Sequence, residues 1–159
     1  MKRIPFLVLA IAASSAFVGC GSDNKSEDPT PKSNSELLMA KSWKLTAFTY
    51  QEGTDPVEDN YAQLDACSKD DLYKFKASAS FEYNENTNVC AGEPQSYSGN
   101  WALTDNDKTL TVAAVNQATF SAVAIQGNID ELTADKLVVS ETETFGGVKS
   151  VTKYTFVAQ

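Results

Sequence analysis

The sequence predicts an all-β domain, and within that class an eight-stranded antiparallel up-and-down barrel preceded by a short helix. Beyond residue 42 the chain consists of short runs rich in Val, Thr, Tyr, Phe and Trp, separated by clusters of Gly, Asn and Asp. This composition is typical of strands joined by turns. No segment in this region sustains the 3.6-residue periodicity of a long amphipathic helix. Short connections favour the barrel, whose closure removes exposed strand edges, over the alternative of a two-sheet β-sandwich.

The N-terminal region has the pattern of an export signal. Two basic residues precede an apolar stretch from Ile4 to Val18, which is too short for a membrane-spanning helix. We therefore interpret residues 1–19 as a signal peptide. The stretch Ala16-Phe17-Val18-Gly19 before Cys20 resembles the lipobox of bacterial lipoproteins. This resemblance implies that Cys20 is lipidated and becomes the mature N-terminus, and the alternative is a soluble secreted protein.

Residues 20–36 are predicted to form a flexible tether between the lipid anchor and the barrel. After Cys20 this segment contains no aromatic or large aliphatic residue, so it cannot bury apolar surface. The barrel domain then covers residues 37–159. Ser33 and Glu36 have the spacing of a capping box just before the first apolar cluster, which predicts the short helix at its start.

Three hairpins can be paired so that apolar residues oppose one another. The pairs are Phe75 with Phe81, Tyr73 with Tyr83, Trp101 with Val112, Leu103 with Leu110, Leu137 with Phe156 and Val139 with Tyr154. The first hairpin then has its tip at Ser78, and Gly146-Gly147 supplies the tight turn of the last one. Residues 43–50 and 119–126 complete the set of strands.

Cys67 and Cys90 are predicted to form a disulfide. With Cys20 assigned to the lipid, these two cysteines remain as a pair in an exported protein. They lie at nearly equal distances along the chain from Ser78, so both fall at the open end of the first hairpin. The alternative, a reactive or metal-binding thiol, lacks a supporting His, CxxC motif or basic cluster.

Four short motifs are shared with a family of small secreted domains. They are a Leu-rich turn before Trp43, the strand start Asp70-Asp71-Leu72-Tyr73-Lys74-Phe75, the stretch Ser98-Gly99-Asn100-Trp101, and Glu131-Leu132-Thr133-Ala134-Asp135-Lys136-Leu137. With them, the region from Leu37 to Val157 resembles the lipocalin-like domains of surface lipoproteins from Bacteroidetes-type bacteria. The resemblance implies a lipocalin-like barrel in which the first connection, Gln51 to Asp71, partly covers the mouth.

Composition disfavours several classes of function. The formal net charge of −8 disfavours nucleic-acid binding, and the chain has no His, the commonest general base and transition-metal ligand. The acidic residues of the first connection have no recognisable metal-ligand spacing and are interpreted as a solvated loop. No sequence feature selects a pair of carboxylates for glycoside hydrolysis. We therefore expect a protein that is not an enzyme, with no cofactor and no metal.

Two functions remain open. The first is a binding module for a small apolar ligand held inside the barrel. Its expected lining residues are Trp43, Tyr73, Phe75, Phe81, Tyr97 and Trp101. The second is an interaction module of the cell envelope whose loops bind a protein or a glycan. An internal cavity of about 300 Å³ or more favours the first function. Either way, the expected location is the bacterial cell envelope, lipid-anchored at the outer membrane.

Overall fold

The computed structural model of the protein describes residues 32–159. The signal peptide of residues 1–19, the lipidation site Cys20 and the tether up to residue 31 lie outside the described residues. The elements are α1 (Asn34–Met39), β1 (Trp43–Glu52), β2 (Glu58–Asp59), α2 (Asn60–Gln63), a 3-10 helix (Ala66–Lys69), β3 (Leu72–Phe75), β4 (Ser80–Asn84), β5 (Ser96–Thr104), β6 (Thr109–Val115), β7 (Ala122–Leu132), β8 (Lys136–Phe145) and β9 (Val148–Ala158). None of the helices in this part of the chain is both long and apolar enough to cross a membrane.

The strands form a closed antiparallel up-and-down barrel. The sheet order β2-β1-β3-β4-β5-β6-β7-β8-β9 follows the sequence apart from the two-residue β2, and β1 also pairs with β9. That last pairing closes the sheet on itself, which a β-sandwich does not do. The predicted eight-stranded barrel is therefore confirmed, with β2 as an additional short strand beside β1.

The hairpin registers follow from side-chain alternation. All six apolar pairs predicted for the three hairpins are present as opposed residues. The tip of the first hairpin places Ser78 and Ala79 in the left-handed region, with φ values of 60° and 58°. In the last hairpin Gly146 and Gly147 have φ values of 58° and 84°, a conformation that glycine adopts without steric cost. A register slip by one residue would expose the aromatic faces, so burial fixes the pairing.

The N-terminal helix α1 begins as the capping box predicts. The Ser33 side chain accepts a hydrogen bond from the Glu36 backbone N–H, and the Glu36 carboxylate accepts one from the Ser33 N–H at 2.7 Å. Residues 34–36, which were predicted to belong to the tether, are therefore the first half of this helix. Its buried residue, Leu38, joins the barrel core.

Strand β7 differs from the expected residues 119–126 at both ends. Residues 116–121 form a turn instead, in which the Asn116 backbone N–H donates to the Ser121 carbonyl at 2.8 Å. The strand continues through Gly127, one residue beyond the end of the predicted strand, to Leu132. A Cβ at this glycine would lie 2.5 Å from the Ser140 carbonyl oxygen, so close backbone approach requires glycine here.

The first connection contains structure that periodicity did not indicate. Strand β2, helix α2 and the 3-10 helix together fill most of the interval between β1 and β3. The Asp59 side chain caps α2 by accepting from the Ala62 N–H at 3.0 Å. Tyr61 and Leu64 then pack against the barrel core. Helices this short are not stable by themselves, so packing against the barrel stabilises them.

One end of the barrel is filled by side chains. Trp43 is fully buried, and its indole N–H donates to the Leu38 carbonyl at 2.8 Å, so α1 closes this end. Phe75 makes edge contacts with the rings of Phe81 and Trp101, at centroid distances of 5.6 and 5.5 Å. The opposite end carries the first connection and the long β4–β5 loop, and we call it the mouth.

Candidate functional site

A cavity of about 450 Å³ occupies the mouth half of the barrel. Its walls come from strands on opposite sides of the barrel and from the two longest loops. The aromatic part of the lining consists of Phe48, Tyr73, Tyr83, Tyr97 and Tyr154. Aliphatic side chains, among them Leu45, Leu64 and Val123, complete the apolar surface. The volume lies within the range of about 300–1,000 Å³ that is common for small-molecule sites.

The six residues predicted to line a cavity divide into two groups. Tyr73 and Tyr97 line it. Trp43, Phe75, Phe81 and Trp101 are instead buried in the core and are not among the residues that line the cavity. Alternation along a strand identifies which side chains face inward but not their depth along the barrel axis, and the closed end is filled by the largest of them.

The aromatic side chains of the cavity support one another. Tyr83 contacts Tyr73 edge-on at a centroid distance of 5.3 Å and Tyr97 at 5.0 Å. Phe48 and Tyr154, from β1 and β9, stack at 5.1 Å with nearly parallel planes. Contacts of this kind stabilise aromatic pairs beyond the area that they bury. The cavity therefore has preformed walls.

Two acidic residues are buried beside these aromatic walls. Asp71 is 2% exposed and Glu85 is 3% exposed. Asp71 lies two residues before Tyr73, and Glu85 lies two residues after Tyr83. Because side chains alternate along a strand, both acidic residues are expected on the same inward face, nearer the mouth. Asp71 was predicted to lie in a solvated acidic loop, and its burial shows that this prediction is wrong. The alternation was the signal that could have identified both residues.

The carboxyl group of Asp71 has an unusual environment. The Tyr83 hydroxyl donates a hydrogen bond to its Oδ2, whereas its Oδ1 is buried without a hydrogen-bond partner. Burial raises the pKa of Asp71 to about 6, and the nearby charges of Glu85 and Asp70 act in the same direction. Burial also raises the pKa of Tyr83, so its phenol remains a neutral donor.

The disulfide joins the two loops that cover the mouth. Cys67, in the 3-10 helix, is bonded to Cys90 in the β4–β5 loop, with their Cα atoms 5.2 Å apart, which confirms the predicted pairing. Asp70 adds a second link, since its carboxylate accepts from the Thr87 hydroxyl at 2.8 Å and from the Asn88 N–H at 3.2 Å. The two loops therefore act as one cover over part of the cavity.

A second depression, of about 570 Å³, lies where β7 and β8 diverge. The two strands pair only from Asn128 to Leu132 on β7, and nearer the mouth the Glu141 side chain accepts from the Gln126 N–H at 2.6 Å. Its described lining combines Thr, Gln, Asn, Ser and Glu side chains with Val112 and Ile125, and it includes no aromatic residue. An aromatic-walled cavity inside the barrel is the better candidate for a ligand site.

Comparison with known proteins agrees with this architecture. The sequence model of the family described as the lipocalin-like domain matches residues 39–139, more than half of the chain. The chain belongs to this family. No curated protein matches it. The matched region runs from the end of α1 into β8, and the structure adds the rest of β8 and the strand β9 that closes the barrel.

The buried carboxyl of this lipocalin-like domain should make stability depend on pH. Asp71 has a folded-state pKa of about 6, against 3.8 for the unfolded chain. The folded state therefore binds more protons between these values, and the contribution of Asp71 to stability falls as pH rises through this window. When Asp71 is replaced with Asn, the difference in free energy of unfolding from wild type should shift by about 2 kcal/mol in favour of the variant between pH 4 and pH 7.

Urea unfolding at several pH values measures this difference. Asn preserves an acceptor for the Tyr83 hydroxyl, and the cost of its buried amide does not change with pH, so the pH dependence isolates the charge. Asp55→Asn, in an exposed turn, is the control for removing one negative charge. A stability difference that does not change between pH 4 and pH 7 would contradict the burial argument.

Proposed function

We propose that this lipocalin-like domain is a non-catalytic module that binds a small, largely apolar ligand in the mouth cavity. The observation that carries the proposal is the aromatic-walled space of about 450 Å³ inside a closed barrel. Large side chains on opposite walls can bury most of the surface of a small molecule. Family membership supports a binding role for the barrel.

The arrangement of the two buried acidic residues supports binding rather than catalysis. Asp71 is tied to the Tyr83 hydroxyl, and one oxygen of Glu85 accepts the Cys90 backbone N–H at 3.0 Å. Glycoside hydrolysis needs two carboxyl groups that face a common reacting bond. Of these two buried carboxyls only Glu85 lines the cavity, so they do not form such a pair.

Fluorescence of the neutral apolar dye N-phenylnaphthylamine tests the proposal. We expect the folded protein to bind the dye with increased emission. Val123→Phe should weaken binding about tenfold or more, because the added ring occupies the cavity. Val115→Phe is the matched control, since Val115 is exposed and is not part of the lining. No binding by the wild type, or equal loss in both variants, would contradict the proposal.

An interaction module is the second candidate. Phe120 and Phe145 are 80% and 90% exposed, and both lie in turns or strand ends at the mouth. Exposed aromatic side chains are typical of surfaces that contact a partner. If the dye does not bind, the envelope-module function, in which loops contact a protein or a glycan, becomes the favoured one.

We further propose that the domain is lipid-anchored through Cys20 in the bacterial cell envelope, at the outer membrane. The support is the apolar stretch of residues 4–18, the lipobox-like sequence that follows it and the polar segment before α1. Mass spectrometry should find a lipid-modified Cys20 as the mature N-terminus, and Cys20→Ala should move the protein to the soluble fraction. An unmodified N-terminus at another residue would overturn the anchor.

A further inference from the structure

We infer that the ligand of the mouth cavity is a small organic ammonium with an aromatic or apolar body, and that the Glu85 carboxylate holds the ammonium group. This inference rests on the proposed function, because it assigns a chemical class to the ligand of the same cavity.

The first observation is the arrangement of Glu85 itself. Its side chain lines the cavity although the residue is only 3% exposed. Oε2 accepts the Cys90 N–H at 3.0 Å, whereas no donor among the described residues reaches Oε1. Oε1 therefore remains available to accept from a group that enters the cavity. A ligand ammonium supplies both a positive charge and N–H donors.

The second observation is the charge of the lining. Asp65, Glu85 and Glu93 contribute carboxylates to it, and no Lys or Arg is among the described residues that line it. The phenols add no charge at physiological pH, and burial and then the charges of Glu85 and Glu93 raise the pKa of Tyr97 further, to about 12. An anionic ligand would therefore meet repulsion with no compensating cation.

Glu85 differs from Glu93 in its hydrogen bonds and from Asp65 in its burial. The Glu93 carboxylate already accepts from the side chains of Asn116, Thr119 and Ser121, at 3.0, 2.9 and 2.6 Å. Asp65 is exposed. A buried carboxylate with a free oxygen is the stronger anchor, because its charge is poorly screened by water.

The aromatic walls fit the remainder of such a ligand. Tyr83 and Tyr97, partners in an aromatic contact at 5.0 Å, line the cavity together with Glu85. Ring faces attract ammonium groups, and the same faces pack against an aromatic or aliphatic body. A metal ion is the less suitable cation, because the described residues contain no group of three or more Cys, Asp or Glu side chains placed to hold one.

Calorimetric titration with three compounds of the same body tests the inference. Naphthylethylamine is cationic, naphthylethanol is neutral and naphthylpropionate is anionic at pH 7. We expect the amine to bind about tenfold to a hundredfold more tightly than the alcohol, as a charge-assisted hydrogen bond predicts, and the propionate to bind most weakly.

Glu85→Gln identifies the anchor. The Gln side chain keeps an acceptor for the Cys90 N–H, so the loop contact is preserved while the charge is lost. We expect this variant to lose the preference for the amine and to bind the alcohol as the wild type does. Glu58→Gln, which removes one charge from the exposed strand β2, is the matched control and should retain the preference.

The outcomes separate the two proposals. If the wild type binds N-phenylnaphthylamine but prefers the alcohol or the propionate to the amine, the ammonium inference is wrong and the proposed function stands. The wild-type comparison alone decides this, even if Glu85→Gln does not fold. If Glu58→Gln loses the preference as fully as Glu85→Gln, general charge rather than Glu85 is responsible. If neither the dye nor any of the three compounds binds, the proposed function itself fails.

Discussion

Replacing Trp43 with Ala should lower the free energy of unfolding by about 3–5 kcal/mol. Trp43 is 0% exposed and belongs to the core that fills the closed end of the barrel. The substitution leaves a large void that backbone closure prevents from collapsing. The Leu38 carbonyl also loses the hydrogen bond that it accepts from the indole N–H at 2.8 Å. Urea denaturation followed by far-ultraviolet circular dichroism measures the loss.

Two further variants show whether the effect comes from core packing. Trp43→Phe retains most of the ring and should cost less than the Ala variant, although it also loses the hydrogen bond. Phe145→Ala, which removes an aromatic ring that is 90% exposed, should change stability by less than about 0.5 kcal/mol. A loss at Trp43 no greater than that at Phe145 would show that the closed end is not a packed core.

Removing the disulfide with Cys67→Ser and Cys90→Ser together should cost about 3 kcal/mol, because the bond constrains the unfolded chain. The bond closes a segment with a sequence separation of 23 residues. The barrel should still form, since its strand pairs do not depend on the bond. The cover over the cavity should become less constrained, because Cys90 lines it and its backbone N–H contacts Glu85. Dye affinity should therefore fall along with stability.

Unfolding of the oxidised wild type, the reduced wild type and the double variant provides the comparison. The reduced wild type should behave like the double variant, which separates the effect of the bond from that of the Ser substitutions. Equal stability in all three forms would mean that the loops are held by other contacts, such as those that Asp70 makes with Thr87 and Asn88.

The hairpin registers were predictable because their determinants are local. Phe75 and Phe81 lie six positions apart around a tip, so alternation and burial fix their pairing within one short segment. The disulfide followed from the same hairpin, because its tip lies midway between the two cysteines. Strand β7 was less predictable, since the glycine at position 127 is required by approach to Ser140, thirteen residues away in sequence. A contact between residues this far apart in sequence cannot be predicted from local sequence patterns.

The candidate site was predictable only in part. Tyr73 and Tyr97 were expected to line a cavity, and they do. Phe48 and Tyr154, which stack on each other, were missed as lining residues because they lie on the first and last strands and meet only when the barrel closes. Glu85 was missed because an acidic residue at a strand end is usually solvated.

The sequence by itself determined the fold class, the hairpin pairing, the helix cap and the disulfide of this lipocalin-like domain. Each depends on residue spacing or on burial of alternating side chains, which a linear pattern records. Only the tertiary structure decided which inward side chains fill the barrel and which surround a cavity, because depth along the axis depends on strand stagger and closure. The burial of Asp71 and Glu85 was decided in the same way, by the two linked loops that fold over the mouth.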